Sequence, residues 1–130
     1  MDSKAMALIA ARAMDAKKGS KIKVLKLEDL EDVTVITDYF VVATGGSRAQ
    51  TQALADAVEK AFKDEFQLLV NRIEGFQEGR WILLDYGQII VHIFQEDERN
   101  FYNLERLWAD APALADREVF PAGSADEERR

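Results

Sequence analysis

Arg80-Trp-Ile-Leu-Leu-Asp-Tyr-Gly-Gln-Ile-Ile-Val-His-Ile-Phe94, continuing as Gln-Glu-Asp-Glu-Arg-Asn-Phe-Tyr-Asn-Leu-Glu-Arg-Leu-Trp108, is the stretch on which the reading of this chain turns. Two apolar, β-branched runs flank Tyr86-Gly87, which predicts an antiparallel hairpin. With Tyr86-Gly87 as the central pair of the turn, Asp85 faces Gln88, Leu83 faces Ile90 and Trp81 faces His92. The period of two then places Trp81, Leu83, Asp85, Ile90, His92 and Phe94 on one side. Ile82, Leu84, Ile89, Val91 and Ile93 take the other, a purely aliphatic face that suits a core. The mixed face carries two aromatics, an aspartate and the single histidine of the chain. A hairpin apolar on both sides is either sandwiched within the fold or keeps one side for a partner.

Outward from the hairpin, the chain has the length of one α/β domain: 130 residues, with no second core expected. Ser3 is positioned to cap a helix running to about Lys18, with Met6, Ile9, Ala10, Ala13 and Lys17 at buried-stripe spacing and Gly19 as its stop. Lys21 to Leu27 reads as a strand, its imperfect alternation around Val24-Leu25 suggesting a bulge. Glu28 to Asp38 is rich in acid and lacks any base, as solvated connections commonly are. Tyr39 to Thr44 is continuously apolar, the mark of a central strand covered on both faces. Gly45-Gly46 turns the chain, and Ser47 with Gln50 forms a capping box. Leu54, Ala57, Val58, Ala61, Phe62 and Glu65 trace the inner face of the helix that follows. Leu68 to Glu74 reads as a strand and Gly75 to Gly79 as a loop. Beyond Phe94, Glu96–Phe101 and Leu104–Trp108 are two short helical pieces, with Asn103 a cap between them. The domain is expected to span residues 1–112, and residues 113–130, rich in alanine and charge, to form a loose tail. The sum is an α/β single domain with a mixed, mainly five-stranded sheet flanked by helices.

Composition removes several chemistries. There is no cysteine, which excludes disulfides and thiolate sites, and one histidine does not build a multi-histidine metal centre. A net charge of −7 repels a phosphate backbone and favours a basic protein surface. No apolar run approaches about eighteen residues, so neither a membrane span nor a signal peptide is expected, and the cytoplasm is the default. Thr44-Gly45-Gly46-Ser47 could cradle a phosphate at a helix N-terminus, yet it lacks the P-loop lysine and a dinucleotide fingerprint. A tight turn with a capping serine explains the same residues. A nucleotidyltransferase-like site also needs two carboxylates one residue apart for magnesium. The hairpin strands offer Asp85 alone, and Glu96 with Glu98 sit where a helix should begin. Asp85 and His92 are not opposite each other, so an acid–base pair is not assembled. Of Trp81, Tyr86, Phe94, Phe101, Tyr102 and Trp108, about half are expected in the core, where aromatic residues supply area; the remainder, beside Asp85, His92 and Glu96, have the composition of a protein-binding hot spot.

Asp38 to Gly45, Glu74-Gly75, Trp81 to Gly87, Val91 to Phe94, Arg99 to Trp108 and Asp110-Ala111, in that order, resemble the ribosomal silencing factor, or Iojap-like, family. The resemblance runs over roughly residues 4 to 112. Two positions depart from the family pattern: Gly46 replaces a common threonine, and Gln88 stands where an acidic residue is frequent. The resemblance implies a fold similar to nucleotidyltransferases but without a catalytic site, and no cofactor or metal. It also implies binding to the large ribosomal subunit through that subunit's ribosomal protein number fourteen, on the face that meets the small subunit. Joining of the subunits would thereby be blocked when nutrients run short. A homodimer in isolation is implied as well. The partner-binding residues expected are Trp81 and Phe94 as anchors, Tyr86 reaching outward from the turn, Leu83, and Asp85, His92, Glu96 and Tyr102. The competing readings are a nucleotide-binding enzyme using Gly45 to Ser47 and a dimeric adaptor with no ribosomal role.

Overall fold

The structure, a computed structural model, describes residues 2–27, 37–98 and 112–121. Its elements are α1 (Ser3–Ala16), β1 (Ser20–Lys26), β2 (Tyr39–Gly45), α2 (Arg48–Phe66), β3 (Arg72–Glu74), β4 (Trp81–Asp85), β5 (Ile89–Gln95) and α3 (Asp116–Val119). The five strands form one mixed sheet in the order β1-β2-β5-β4-β3. Only β2 and β5 run parallel; the other neighbours are antiparallel. Between β2 and its parallel partner lie α2, β3 and β4, which gives the chain the length a parallel return needs.

The two long helices, α1 and α2, cover one face of the sheet. Met6, Ala7, Ala10, Ala11 and Met14 of α1 and Leu54, Ala55, Val58 and Phe62 of α2 pack there on Val24, Val41, Ala43, Ile82, Leu84, Ile89, Val91 and Ile93. The aliphatic side of the hairpin is thus core, each of its five residues fully buried and contributing about 1.5–3 kcal/mol. The opposite face has a smaller cluster of Leu25, Leu27, Phe40, Val42 and Phe94. Alternate residues of β2 therefore enter different clusters, which is why its whole run is apolar.

Local chemistry moves several boundaries. Asp2, not Ser3, caps α1, accepting from Lys4 N–H at 3.1 Å. The Ser3 hydroxyl instead donates to the Asp38 carboxylate and accepts from Gln88 Nε2 at 2.9 Å, tying the helix to the sheet. The buried stripe of α1 includes Ala7, Ala11 and Met14, while Ile9 and Ala13 are half-buried and Lys17 is exposed. Small residues let this helix approach the sheet closely, so the alanines rather than Ile9 face inward. In α2, Thr51, Leu54, Ala55, Val58 and Phe62 are inside, Ala57 and Ala61 are half-buried, and Glu65 is exposed. The irregularity of β1 falls between Ser20 and Lys23, where Lys21 takes φ +49°, and not at Val24-Leu25. Those two are both buried because the sheet is covered on both sides. The strand expected from Leu68 shortens to Arg72–Glu74. The acidic connection lies largely outside the described residues, as do Asn103, the helix expected over Leu104–Trp108 and the second half of that over Glu96–Phe101, whose first three residues are helical.

The hairpin pairs Trp81 with Phe94, Leu83 with His92 and Asp85 with Ile90. Tyr86 N–H donates to Ile89 O at 3.0 Å, so the central pair of the turn is Gly87-Gln88 instead of Tyr86-Gly87. Gly87 has φ +82°, the geometry that favours glycine first in a two-residue loop. Moving the turn by one residue slips the pairing by two, so every strand residue keeps its expected face. Tyr86, however, joins the helical side and packs against Phe62 at 4.4 Å between ring centroids.

The loose tail expected from Ala113 is not what residues 113–121 form. Lys26 N–H donates to Pro112 O and Leu114 N–H donates to Val24 O, both at 2.9 Å, so this segment runs along the β1 edge. Val119 and Phe120 are buried in the main core, and Arg12 Nε donates to Val119 O at 2.7 Å. Two adjacent apolar residues in a polar stretch are too short a signal for a periodicity argument.

Candidate partner-binding face

The mixed side of the hairpin is neither wholly core nor wholly surface. Phe94 is fully buried and His92 is 6% exposed, while Trp81, Leu83, Asp85 and Ile90 are half-buried. Phe94 thus belongs to the floor of this face, not to its contact layer. Trp81 lies on that floor, its ring 4.8 Å from Phe94 and tilted by 33°. Its indole N–H donates to His92 Nδ1 at 3.1 Å. His92 also meets Phe40 edge-on at 4.7 Å. Burial pushes the His92 imidazole down from 6.5 to about 4, so the ring is neutral near pH 7. A neutral, covered imidazole is not the polar contact to a basic partner expected of it.

The carboxylates have local partners. Asp85 Oδ1 accepts from Gly87 N–H at 2.8 Å, and Arg72 stands 3.9 Å from its other oxygen. Glu96 is exposed and paired with Lys21 at 2.8 Å. The hydrogen bond from that ammonium, then its charge, holds the Glu96 carboxyl below its ordinary range. Arg80 lies 3.9 Å from Glu98. Asp85 and Glu96 remain accessible, but a basic partner would have to share them with these cations.

Tyr86 is the clearest correction. It is 5% exposed and sits in the main core, its hydroxyl buried without a hydrogen-bond partner among the described residues. Burial, with Glu59 second, raises its phenol far above the usual value. It does not reach outward from the turn. Tyr102 lies outside the described residues. Phe40 and Val42, which floor this face, were read only as central-strand residues. Their alternation within a fully apolar run leaves no sequence signal to assign sides.

At the Gly45–Ser47 turn, Gly46 N–H and the Ser47 hydroxyl are both engaged. Gly46 N–H donates to Gln50 Oε1 at 2.7 Å, and Gln50 N–H donates to Ser47 Oγ at 3.1 Å. Gln50 Nε2 donates in turn to Lys18 O at 3.0 Å, stapling the turn to the end of α1. These bonds are what a cap requires, and they occupy donors a phosphate would use. Among the described residues no three metal-capable side chains gather. No described helix is long and apolar enough to cross a membrane.

Comparison with known proteins agrees with this architecture. The family model described as "Ribosomal silencing factor during starvation" matches residues 1–130. The ribosomal silencing factor RsfS of Bacillus subtilis (strain 168) is 45% identical over 116 residues, covering 89% of this chain and 94% of that protein. A crystal structure of a Chromobacterium violaceum protein superposes with a TM-score of 0.76 at 30% identity, covering 84% of this chain and 88% of that one. One from Bacillus halodurans gives 0.72 at 32%, covering 86% and 98%. The family is named for a silencing factor and not for an enzyme. The chain belongs to the ribosomal silencing factor family.

Proposed function

We propose that this protein is a non-enzymatic translational repressor that binds the large ribosomal subunit and sterically blocks joining of the small one. The contact is through ribosomal protein number fourteen of the large subunit, and the protein acts in the cytoplasm when nutrients are limiting. Membership of the silencing-factor family carries this reading. The half-buried patch of Trp81, Leu83, Asp85 and Ile90 supports it: an apolar centre with a polar edge on a rigid sheet floor. A net charge of −7 suits a basic ribosomal protein. In isolation the protein forms a homodimer. The β1 edge is covered by residues 112–114, whereas β3 ends the sheet and is exposed along its length. Ile73, 38% exposed, lies on that open edge, and Leu69, 70% exposed, precedes it in the chain.

Sucrose-gradient sedimentation of purified subunits tests the function. Added protein should co-sediment with large subunits and keep small subunits from joining them. Trp81→Ala should remove that activity in a folded protein, with a loss of about 2 kcal/mol or more in binding. Full joining in the presence of excess wild-type protein would refute the reading. Retained blocking by folded Trp81→Ala and Asp85→Ala variants would move the contact elsewhere.

A further inference from the structure

A histidine buried beneath an aromatic patch invites the question of why it is not phenylalanine. His92 is 6% exposed, and its Nε2 has no hydrogen-bond partner among the described residues. Burying a polar group without a partner is unfavourable, and an apolar ring of similar shape would avoid it. What phenylalanine lacks is the lone pair on Nδ1, and that lone pair is used. Trp81 Nε1–H, a group that can only donate, points to it at 3.1 Å. The bond settles the tautomer: Nδ1 is bare and the proton sits on Nε2.

We infer that His92 is a positioning residue, holding the Trp81 indole in the one orientation that the partner meets. This rests on the proposal that Trp81 is an anchor of the ribosomal contact. Leu83, not Trp81, is directly opposite His92, so the indole reaches diagonally across the hairpin to make the bond. Phe94 supports the indole from below at 4.8 Å, a contact that by itself does not select which edge of the indole faces His92. The hydrogen bond makes that selection. The conformational cost of ordering the anchor is then met on folding and not on binding, which favours tighter association. Held loosely, the anchor would bind about threefold to tenfold more weakly.

The test compares His92→Phe, which keeps a ring and removes the acceptor, with His92→Asn, which retains an acceptor oxygen. Nitrogen-15 spectra of the free protein report the His92 tautomer and the indole N–H of each of the two tryptophans, assigned with Trp81→Phe. In the wild type, Nε2 should carry the proton. In His92→Phe, the Trp81 indole resonance should move towards that of free indole and its hydrogen exchange accelerate. Binding to large subunits should weaken about threefold to tenfold. His92→Asn should recover most of both changes. Should His92→Phe not fold, His92→Leu makes the same comparison. A proton on Nδ1 in the wild type, an unshifted indole in a folded acceptor-free variant, or undiminished binding by that variant overturns the inference. Equal weakening in His92→Asn does so as well. Unaltered binding by Trp81→Ala would instead remove the contact surface itself, whatever the spectra show.

Discussion

Acid should destabilise this protein through one identifiable group. Burial lowers the His92 imidazole from 6.5 to about 4, so between those values the unfolded chain binds a proton that the folded chain does not. The stability this represents is fully present above 6.5 and is lost as pH falls through the folded value. With one unit worth about 1.4 kcal/mol, His92 should account for a loss of about 1.4 kcal/mol near pH 5.5 and about 3 kcal/mol near pH 4. Against a total of roughly 5–15 kcal/mol for a domain, that is a substantial part. Urea denaturation at several pH values would measure it. Carboxylates titrate in the lower part of the same range, so the informative quantity is the difference between wild type and His92→Asn. The variant lacks the group and should show a shallower decline, the two curves converging as pH falls. Curves that stay parallel from about pH 7 to pH 4 would refute the assignment of a neutral, covered imidazole.

Four substitutions test other parts of the fold. Ser47→Ala should cost about 1 kcal/mol in chemical denaturation, because the hydroxyl caps α2, and should leave subunit blocking intact. Tyr86→Phe should be neutral or stabilise by up to about 1 kcal/mol, since it removes a buried hydroxyl that has no partner among the described residues. A loss of large-subunit binding in that variant would mean that Tyr86 does face the partner. Gly75→Ala should lower stability by at least about 2 kcal/mol, as its φ is +77° and a new Cβ would stand 2.1 Å from the Trp81 carbonyl oxygen. Ile73→Lys should shift the free protein towards monomer in light scattering at micromolar concentration, and an unchanged dimer would place the self-association surface away from the β3 edge.

The strand faces of the hairpin were legible because β geometry has a period of two. Even a misplaced turn that slipped the pairing by two residues left Ile82, Leu84, Ile89, Val91 and Ile93 in the core. The capping role of Ser47 was equally legible, since a helix start uses residues three apart and little else. The five-stranded mixed sheet followed from counting such local patterns. Membership of the family was also readable in the order of its short motifs.

Depth of burial was decided elsewhere. Trp81, His92 and Phe94 share one face and one alternation, yet one is half-buried and two are covered, because neighbouring β2 contributes Phe40, β1 contributes Leu25 and the residue just after β1 is Leu27. Those residues are distant in sequence, and no local pattern says on which side of β2 each will stand. Tyr86 was drawn inward by Phe62, again from another element. Val119 and Phe120 found the core only because residues 112–114 run along β1. Periodicity along one segment specifies which residues share a side. Which sides are covered, and how deeply, depends on contacts between segments that only the assembled fold brings together.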